Sequence, residues 1–440
     1  MKKNTLENTD IRLLACIFFV IIFYIFNFFN SYTPPIFFLI SITAIYLSAI
    51  PKYIFHPKNI LFAYYFLWYT LPVMFATRYE EFSFRSKDEV LAYCMLTSSY
   101  LIGYLVLHFS IKGVKEYRTY SLDVINAIPI KWIHYILVIL SLLACFFTMA
   151  LSPVGIIGWL KDPGHSFQER EGSGIATIFL IFTSGLVMTT SGYFLRKANG
   201  TKKYLLFFQY CILISIFLLC ILHRQRIMQY FILLYITSLF YVKSKLGRVF
   251  LILILVFTSI FSISIVRSDG FEDGGEVARF FLNYFDTFDA LVVSIRYVEP
   301  EVLGTSFMAF NKFFVGMGFD PNMPYSISQW LTPIYFPGWG DRSTVQFPIE
   351  TEMYLNGYYI GMIPVLVLYF YFVGKLYKYA FYSGSLGGIY VSLYVMLEMI
   401  GHLRGMFVDF TDFYNYPIIL FSYFILNKVQ ESFKPKYAFQ

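Results

Sequence analysis

Long apolar runs separated by short polar connections extend over almost the whole 440-residue chain. Most of these runs hold 16 to 22 residues, close to the length that an α-helix needs to cross the hydrocarbon core of a membrane. Because backbone groups in lipid must hydrogen-bond to one another, we expect such runs to be helices. The pattern predicts twelve membrane spans, at residues 13–29, 35–50, 60–76, 90–109, 132–151, 175–194, 204–222, 227–242, 249–266, 353–374, 385–401 and 415–427.

One polar interruption, residues 267–352, is much longer than the others. Its first part places apolar residues at i, i+3, i+4 spacing from Val277 to Ile295. That spacing predicts an amphipathic helix lying on the membrane surface or on the helix bundle. Residues 319–342 are rich in Pro, Gly and aromatic residues, which predicts irregular structure. We therefore expect a single all-α polytopic domain over residues 1–440, with a large and functional outer loop between spans 9 and 10.

Composition and charge agree with a membrane protein. Hydrophobic residues make up 58% of the chain and charged residues only 14%, whereas soluble domains carry about 25% charged residues. With the amino terminus in the cytoplasm, 21 of the 34 Lys and Arg residues fall in cytoplasmic connections that total only about 81 residues. This bias follows the positive-inside rule and predicts two cytoplasmic termini. The net charge of +7 therefore reflects topology and indicates no nucleic-acid partner.

Several arginines run against this bias because they lie in outer connections close to the end of a span. They are Arg170, Arg224, Arg226, Arg267 and Arg404. A guanidinium group stays charged at every relevant pH and binds phosphate oxygens through two parallel hydrogen bonds. Because all five arginines lie at the outer face of the membrane in this topology, they predict a site for a phosphate-bearing lipid head group. The alternative is that each arginine reaches membrane phosphates on its own or pairs with a nearby acid.

Carboxylates supply a second set of candidates. Glu398 is the single acid inside a predicted span, and its four-residue spacing places it on one helix face with His402. We predict that Glu398 either neutralises an arginine such as Arg404 or handles protons, as in a transporter relay. Asp286 and Asp289 lie on the polar face of the outer-loop helix, which is either solvated or turned toward a substrate. The spacing of the outer histidines and of the five cysteines matches no metal-ligand pattern.

Short motifs resemble those of the bacterial O-antigen polymerases, the Wzy-type oligosaccharide repeat-unit polymerases. The stretch "ETEMYLNGYYIG", residues 350–361, is similar to the family pattern "gElYlNFGylG", with matches at Glu352, Tyr354, Asn356 and Gly361. Position 358 is Tyr where the family usually has Gly. "FQEREGSG", "HRQR" and "LRGMF" resemble the arginine-containing segments of the same family. The likeness covers nearly the whole chain in topology and about forty residues in motif.

The resemblance implies a metal-independent, cofactor-free, GT-C-like glycosyltransferase of the bacterial cytoplasmic (inner) membrane. Its substrates would be undecaprenyl-pyrophosphate-linked oligosaccharides, and its partners would be membrane lipids and a chain-length regulator protein. The five outer arginines would hold pyrophosphate, and a carboxylate would accept the proton of the attacking hydroxyl. The motif favours Glu352 as that base and position favours Asp286; Tyr354, Asn356, Glu398 and His402 would support the site. Two alternatives stay open, an O-antigen ligase and a transporter of polysaccharide or lipid-linked sugar.

Overall fold

The computed structural model of the chain describes residues 8–28, 34–51, 56–70, 86–112, 131–161, 166, 172–197, 200–220, 287–301, 304–337, 345–383 and 385–431. Within these ranges every regular element is helical. There are fifteen α-helices, numbered α1 to α15 below, and two short 3₁₀ turns at Met308–Phe310 and Ile360–Met362. The predicted all-α class is therefore confirmed for this part of the chain.

The amino-terminal region forms four helices that pack together. They are α1 (Asn8–Phe28), α2 (Pro34–Ser48), α3 (Pro57–Tyr69) and α4 (Ser86–Ile111). Helix α3 begins where Pro57 occupies the first helical position, which needs no N–H donor. His56 caps this end because its Nδ1 accepts a hydrogen bond from the Lys58 N–H at 3.1 Å. Helices α2 and α3 both pack against α4, so α4 is central to this group.

The next four helices are α5 (Lys131–Leu151), α6 (Gly155–Lys161), α7 (Gly174–Lys197) and α8 (Thr201–Cys220). Helix α5 lies along α7, and α8 contacts both. The opposite face of α5 leaves large apolar side chains exposed, as a lipid-facing helix does. These side chains are Trp132, Tyr135, Ile136, Ile139, Leu142, Leu143, Phe146, Phe147 and Leu151.

The described part of the predicted outer loop holds more helix than the sequence indicated. Its helices are α9 (Phe288–Tyr297), α10 (Asn311–Gly316) and α11 (Ile327–Tyr335), and α12 (Ile349–Gly357) follows. The expectation of irregular structure over residues 319–342 is wrong at α11. There Ser326 caps the helix by accepting a hydrogen bond from the Gln329 N–H at 3.2 Å, and the Gln329 side chain accepts one from the Tyr325 N–H. This reciprocal arrangement resembles a capping box.

Helix α9 covers the second part of the predicted amphipathic helix, and its environment differs from a surface. All its residues from Phe288 to Ser294 are buried, including Asp289. The helix packs against α4 and α12, and the Phe288 ring stacks on Tyr93 at 4.5 Å. The prediction that Asp289 lies on a solvated polar face is therefore wrong, because the residue is buried. The part of the predicted helix before residue 287, which includes Asp286, lies outside the described residues.

The last three helices are α13 (Ile363–Ser383), α14 (Leu386–Leu403) and α15 (Asp412–Glu431). Helix α13 comes very close to α4 because two glycines remove side-chain bulk. A methyl group on Gly374 would overlap Ser110, and one on Gly103 would overlap Phe370. Small residues that let two helix backbones approach are a common feature of membrane helix packing.

In the part of the chain that the structure describes, four helices are long and apolar enough to cross a membrane, namely Lys87–Ile111, Trp132–Leu151, Gly174–Ser191 and Ile360–Ala380. Three shorter apolar helices cover Pro35–Ser48, Tyr204–Phe217 and Tyr390–Leu403. Each of these seven helices overlaps one predicted span, in the same order spans 4, 5, 6, 10, 2, 7 and 11. The predicted spans 227–242 and 249–266 lie outside the described residues. The helices are compatible with an all-α membrane protein, and the number twelve stays a prediction.

The chain divides into two compact units. Unit 1 comprises residues 1–112, 242–375 and 398–413, and unit 2 comprises residues 113–241, 376–397 and 414–440. The motif-bearing helix α12, helices α1 to α4, and the turn after α14 all belong to unit 1. In unit 2, Gly185 of α7 faces Tyr390 and Tyr394.

A backbone turn interrupts the predicted span 353–374 near its start. Helix α12 ends at Gly357, and Tyr358 and Tyr359 follow with φ angles of 50° and 67°. The Tyr359 N–H donates to the Met353 carbonyl at 2.9 Å, a six-residue closure typical of a Schellman helix end. Glycine usually occupies the left-handed position of this motif because a Cβ atom is strained there.

The two left-handed tyrosines differ in what their side chains do. Tyr358 is 65% exposed. Tyr359 is buried, and its hydroxyl bonds to Ser98 at 2.5 Å and Ser99 at 2.9 Å and donates to the Met95 carbonyl at 2.9 Å. These bonds to α4 hold the turn in place despite its strain.

The difference predicts opposite effects of glycine at the two positions. Tyr358→Gly should raise the free energy of unfolding by up to about 1 kcal/mol, because it relieves left-handed strain and removes no buried contact. Tyr359→Gly should lower it, since the buried ring and the hydroxyl bonds are lost. Thermal unfolding of the purified variants in detergent measures both shifts. Destabilisation by both substitutions would contradict a strained Tyr358.

Candidate functional site

Helix α12 presents two buried carboxylates to different sides of unit 1. Glu350 and Glu352 are 0% and 1% exposed. Residues two apart on a helix point to nearly opposite faces, whereas residues four apart share a face. Glu350 therefore meets α3, and Glu352 shares with Asn356 a face that meets the loop at residues 304–307.

Glu352 connects two distant segments through its two carboxylate oxygens. Its Oε1 accepts a hydrogen bond from the Ser306 hydroxyl at 3.1 Å, and its Oε2 accepts one from the Phe407 N–H at 2.7 Å. Burial raises the pKa of Glu352 from 4.5 to about 7, although these two hydrogen bonds and a nearby charge on His402 lower it in part. Near neutral pH this carboxyl group is therefore able both to hold and to release a proton.

The other two motif residues of α12 have clear structural contacts. The Asn356 side chain donates to the Ser306 hydroxyl at 2.9 Å and accepts from the Thr305 N–H at 3.0 Å. The Tyr354 hydroxyl donates to the Ile295 carbonyl near the end of α9, at 3.1 Å. Asn356 and Tyr354 thus fix the loop and the helix that surround Glu352.

Glu350 lies among the tyrosines of α3. Its Oε1 accepts a hydrogen bond from the Tyr65 hydroxyl at 2.5 Å. Burial raises the pKa of Glu350 to about 7, and the hydrogen bond from Tyr65 partly offsets this rise. A carboxyl group held among hydroxyl donors in this way is well suited to a structural role, since each donor partly replaces water.

The adjacent face of α3 holds the turn that carries Arg404. Tyr64 donates its hydroxyl hydrogen to the Leu403 carbonyl at 2.6 Å. One helical turn later, the Trp68 ring faces the Arg404 guanidinium at 5.2 Å, which is within cation–π range. Arg404 is only 3% exposed, and its Nε donates to the Gln346 side-chain carbonyl. The guanidinium group is therefore buried in unit 1 and kept in one orientation.

A second polar group surrounds His402, which is two residues before Arg404. The His402 Nε2 lies 3.0 Å from each Asp412 oxygen, and its Nδ1 lies 3.0 Å from the Tyr369 hydroxyl. The Asp409 N–H donates to Asp412 at 2.8 Å. Ligand atoms of Glu398, His402 and Asp412 lie within 4.8 Å of one another. The His402 ring therefore connects Asp412 to Tyr369 at the end of α14.

The structure brings several predicted site residues into one unit. Glu352, Arg404, His402 and Glu398 all belong to unit 1. Glu352 bonds to Phe407, and Glu398 lies with His402 and Asp412. The Arg404 side chain contacts Gln346 and Trp68. The remaining candidates lie outside the described residues and are Arg170, Arg224, Arg226, Arg267 and Asp286.

Sequence reasoning missed five residues that contribute to this region: Trp68, Ser306, Gln346, Glu350 and Asp412. Glu350 carried a signal, because it is an acid two residues before Glu352 at the start of an apolar helix. Asp412 had no such signal, because its pairing with His402 depends on the turn between α14 and α15. Contacts between distant segments leave no periodic pattern in the sequence.

The region combines a carboxyl group that titrates near neutral pH with a buried guanidinium group. Glu352 contacts the Phe407 N–H, three residues after Arg404. A carboxyl group that exchanges its proton near neutral pH suits proton abstraction, and a guanidinium group suits the stabilisation of negative charge. The His402 group could hold either a proton or a metal ion with oxygen and nitrogen ligands.

Comparison with protein-family models, with curated proteins and with solved structures finds no match to this chain.

Proposed function

We propose that the chain is a polysaccharide polymerase with twelve membrane spans and a GT-C-like arrangement. It would join undecaprenyl-pyrophosphate-linked oligosaccharide repeat units at the outer face of the bacterial cytoplasmic membrane. The products would be O-antigen or a related surface polysaccharide. This proposal depends on the sequence resemblance and on the geometry around Glu352.

The observation that carries the proposal is a contact between two motif segments, made by residues 55 positions apart. Glu352 belongs to the segment at 350–361, and its Oε2 accepts a hydrogen bond from Phe407, which belongs to "LRGMF" at 403–407. The segment that would supply the base therefore touches the one that would supply an arginine. Both segments were singled out by resemblance, and nothing in that resemblance required their contact.

The chemistry assigned to these residues is glycosyl transfer. A hydroxyl oxygen of the acceptor sugar attacks the anomeric carbon of the donor, and a carbon–oxygen bond forms. The bond from that carbon to the pyrophosphate oxygen breaks, and the pyrophosphate-lipid leaves with its electron pair. Glu352 accepts the hydroxyl proton, with Asp286 as the alternative base. The arginines Arg170, Arg224, Arg226, Arg267 and Arg404 stabilise the charge of the leaving group.

The backbone at Tyr358 also favours the resemblance. The family pattern has glycine at this position, and here the residue adopts a left-handed φ of 50°. Glycine is the residue that reaches this conformation without strain. The chain thus has a left-handed turn at the position where the family pattern has glycine.

A transporter is the second candidate, and the His402 group favours it. His402, Asp412 and Tyr369 form a hydrogen-bonded chain at the end of an apolar helix. Chains of ionisable residues in such helices can carry protons in transporters. A ligase shares the chemistry of the polymerase and differs only in its acceptor.

The first prediction for the proposed polymerase concerns Arg224 and Arg226, in the predicted outer connection at 223–226. Arg224→Ala and Arg226→Ala should each abolish long glycan chains and leave the protein in the membrane, because phosphate loses a bidentate donor. A gel of surface glycan should show single capped repeat units in place of a ladder. Arg248→Ala, in a predicted cytoplasmic connection, is the matched control and should retain the ladder.

The double variant of Arg224 and Arg226 provides the decisive outcome. Full-length polymer from it would refute phosphate binding by these arginines. Deletion of the whole chain separates the alternatives. A polymerase deletion leaves single capped units, whereas a ligase deletion leaves no capped units.

The second prediction concerns the two carboxyl groups of α12. Since the pKa of Glu352 is about 7, its ionised fraction grows as pH rises through 7. Polymerisation by membranes carrying the wild-type chain should therefore increase between pH 6 and 8. Glu352→Gln should remove most activity together with this pH dependence, as measured by incorporation of labelled repeat units into polymer.

Glu350→Gln is the matched control because the pKa of Glu350 is also about 7. For both residues the unfolded state loses its proton near pH 4.5 and the folded state near pH 7. Their burial therefore destabilises the fold progressively as pH rises from 4.5 to 7. Both Gln variants should lessen this fall in thermal stability, but only Glu352→Gln should lose polymerisation. Equal loss of activity in both would argue for a purely structural Glu352.

A further inference from the structure

An exposed apolar surface covers residues 307–319, between Ser306 of the candidate site and Asp320. Met317, Phe307 and Phe319 are 64%, 61% and 59% exposed, and three more phenylalanines are about four-tenths exposed. The complete set is Phe307, Phe310, Phe313, Phe314, Met317 and Phe319, and it is called the phenylalanine patch below. No candidate membrane span includes these residues. Clusters of large exposed apolar side chains mark sites that contact a lipid or a protein.

The position of the phenylalanine patch relative to the helices indicates its environment. Phe310 contacts Phe413 with ring centroids 5.1 Å apart, and Phe313 contacts Phe410 at 5.5 Å. Phe410 lies in the turn that joins α14 to α15, and Phe413 lies in the first turn of α15, shortly after the apolar helix Tyr390–Leu403. If that helix crosses a membrane, this turn lies at the membrane boundary, and so does the patch.

One charged residue lies within the patch, and two polar residues follow its carboxyl-terminal end. Lys312 lies within it, half-buried, with its Nζ 4.6 Å from the centre of the Tyr325 ring. Asp320 and Asn322 follow the patch and are exposed. A lysine whose apolar stem lies among aromatic rings can direct its ammonium group to lipid phosphates. The alternation of apolar rings with one basic group is typical of a segment that lies in a bilayer interface.

We propose that the phenylalanine patch inserts into the membrane interface and contacts acyl chains, with Lys312 beside anionic head groups. The adjoining residue Ser306 bonds to both Glu352 and Asn356. Insertion therefore fixes the loop that borders the candidate site at the level of the lipid head groups. The inference requires that the chain span a membrane and does not depend on the proposed polymerase activity.

A depth measurement in lipid tests this inference. Met317→Cys and, as matched control, Asn322→Cys are made in the full chain after its five native cysteines are replaced by alanine. Each cysteine carries a bimane fluorophore, and the proteins are reconstituted in vesicles of phosphatidylcholine and phosphatidylglycerol. The 317 probe should be quenched several-fold more strongly than the 322 probe by lipids with a nitroxide on the acyl chain. Aqueous iodide should show the opposite order.

A charge variant tests the second part of the inference. Lys312→Gln should weaken the increase in nitroxide quenching at position 317 that accompanies a higher fraction of phosphatidylglycerol. If the cysteine-free chain does not accumulate, the same pair is labelled in the native background, with the unsubstituted chain as blank.

Two results would overturn the proposal. The first is iodide quenching at 317 that equals the quenching at 322. The second is protection of 317 from both quenchers together with a disulfide-linked dimer of Met317→Cys, which would assign the patch to contact with another copy of the chain. Loss of polymerisation in the Glu352 variant has no bearing on either result, so the two proposals fail independently.

Discussion

The hydrogen bonds of Glu352 hold together three stretches of unit 1 that are far apart in the sequence. One oxygen of its carboxylate bonds to Ser306 and the other to the Phe407 N–H, while α12 itself packs against α4 and α9. A carboxyl group buried at 1% exposure needs such donors, because water no longer solvates it. The same burial raises its pKa toward 7. The burial of Glu352 is therefore the physical cause both of its hydrogen bonds to distant segments and of its raised pKa.

Helix α3 is the second element on which this region depends. Its tyrosines and Trp68 meet Glu350 on one face and the turn at 403–404 on the adjacent face. A guanidinium group and a carboxyl group are thus buried against neighbouring faces of one helix. Hydroxyl groups and an aromatic ring solvate them where bulk water does not. This explains why so apolar a segment is rich in tyrosine, whose ring packs as a hydrophobic group while its hydroxyl donates.

The turn at Tyr358 and Tyr359 separates the short helix α12 from the candidate span that follows. Its left-handed backbone is strained for two tyrosines, and the hydroxyl of Tyr359 compensates by bonding to α4. Because the turn is fixed, Glu352, Tyr354 and Asn356 lie on a separate helix and not on the span itself. The candidate site is therefore attached to the loop region at residues 304–307, beside the phenylalanine patch.

The sequence by itself determined the helical class and the approximate position of seven apolar helices among the described residues, since long apolar runs leave few other structures. It also singled out Glu352, Arg404, Glu398 and His402. Only the tertiary structure decided which partners these residues contact, that Asp289 is buried and that the helix breaks after Gly357. It also decided that Glu350 bonds to Tyr65 and that Asp412 lies beside His402. The physical reason is that apolar periodicity is a local property read along one helix. The hydrogen bonds of a buried polar group depend on whichever distant segments fold against it, and no local pattern encodes them.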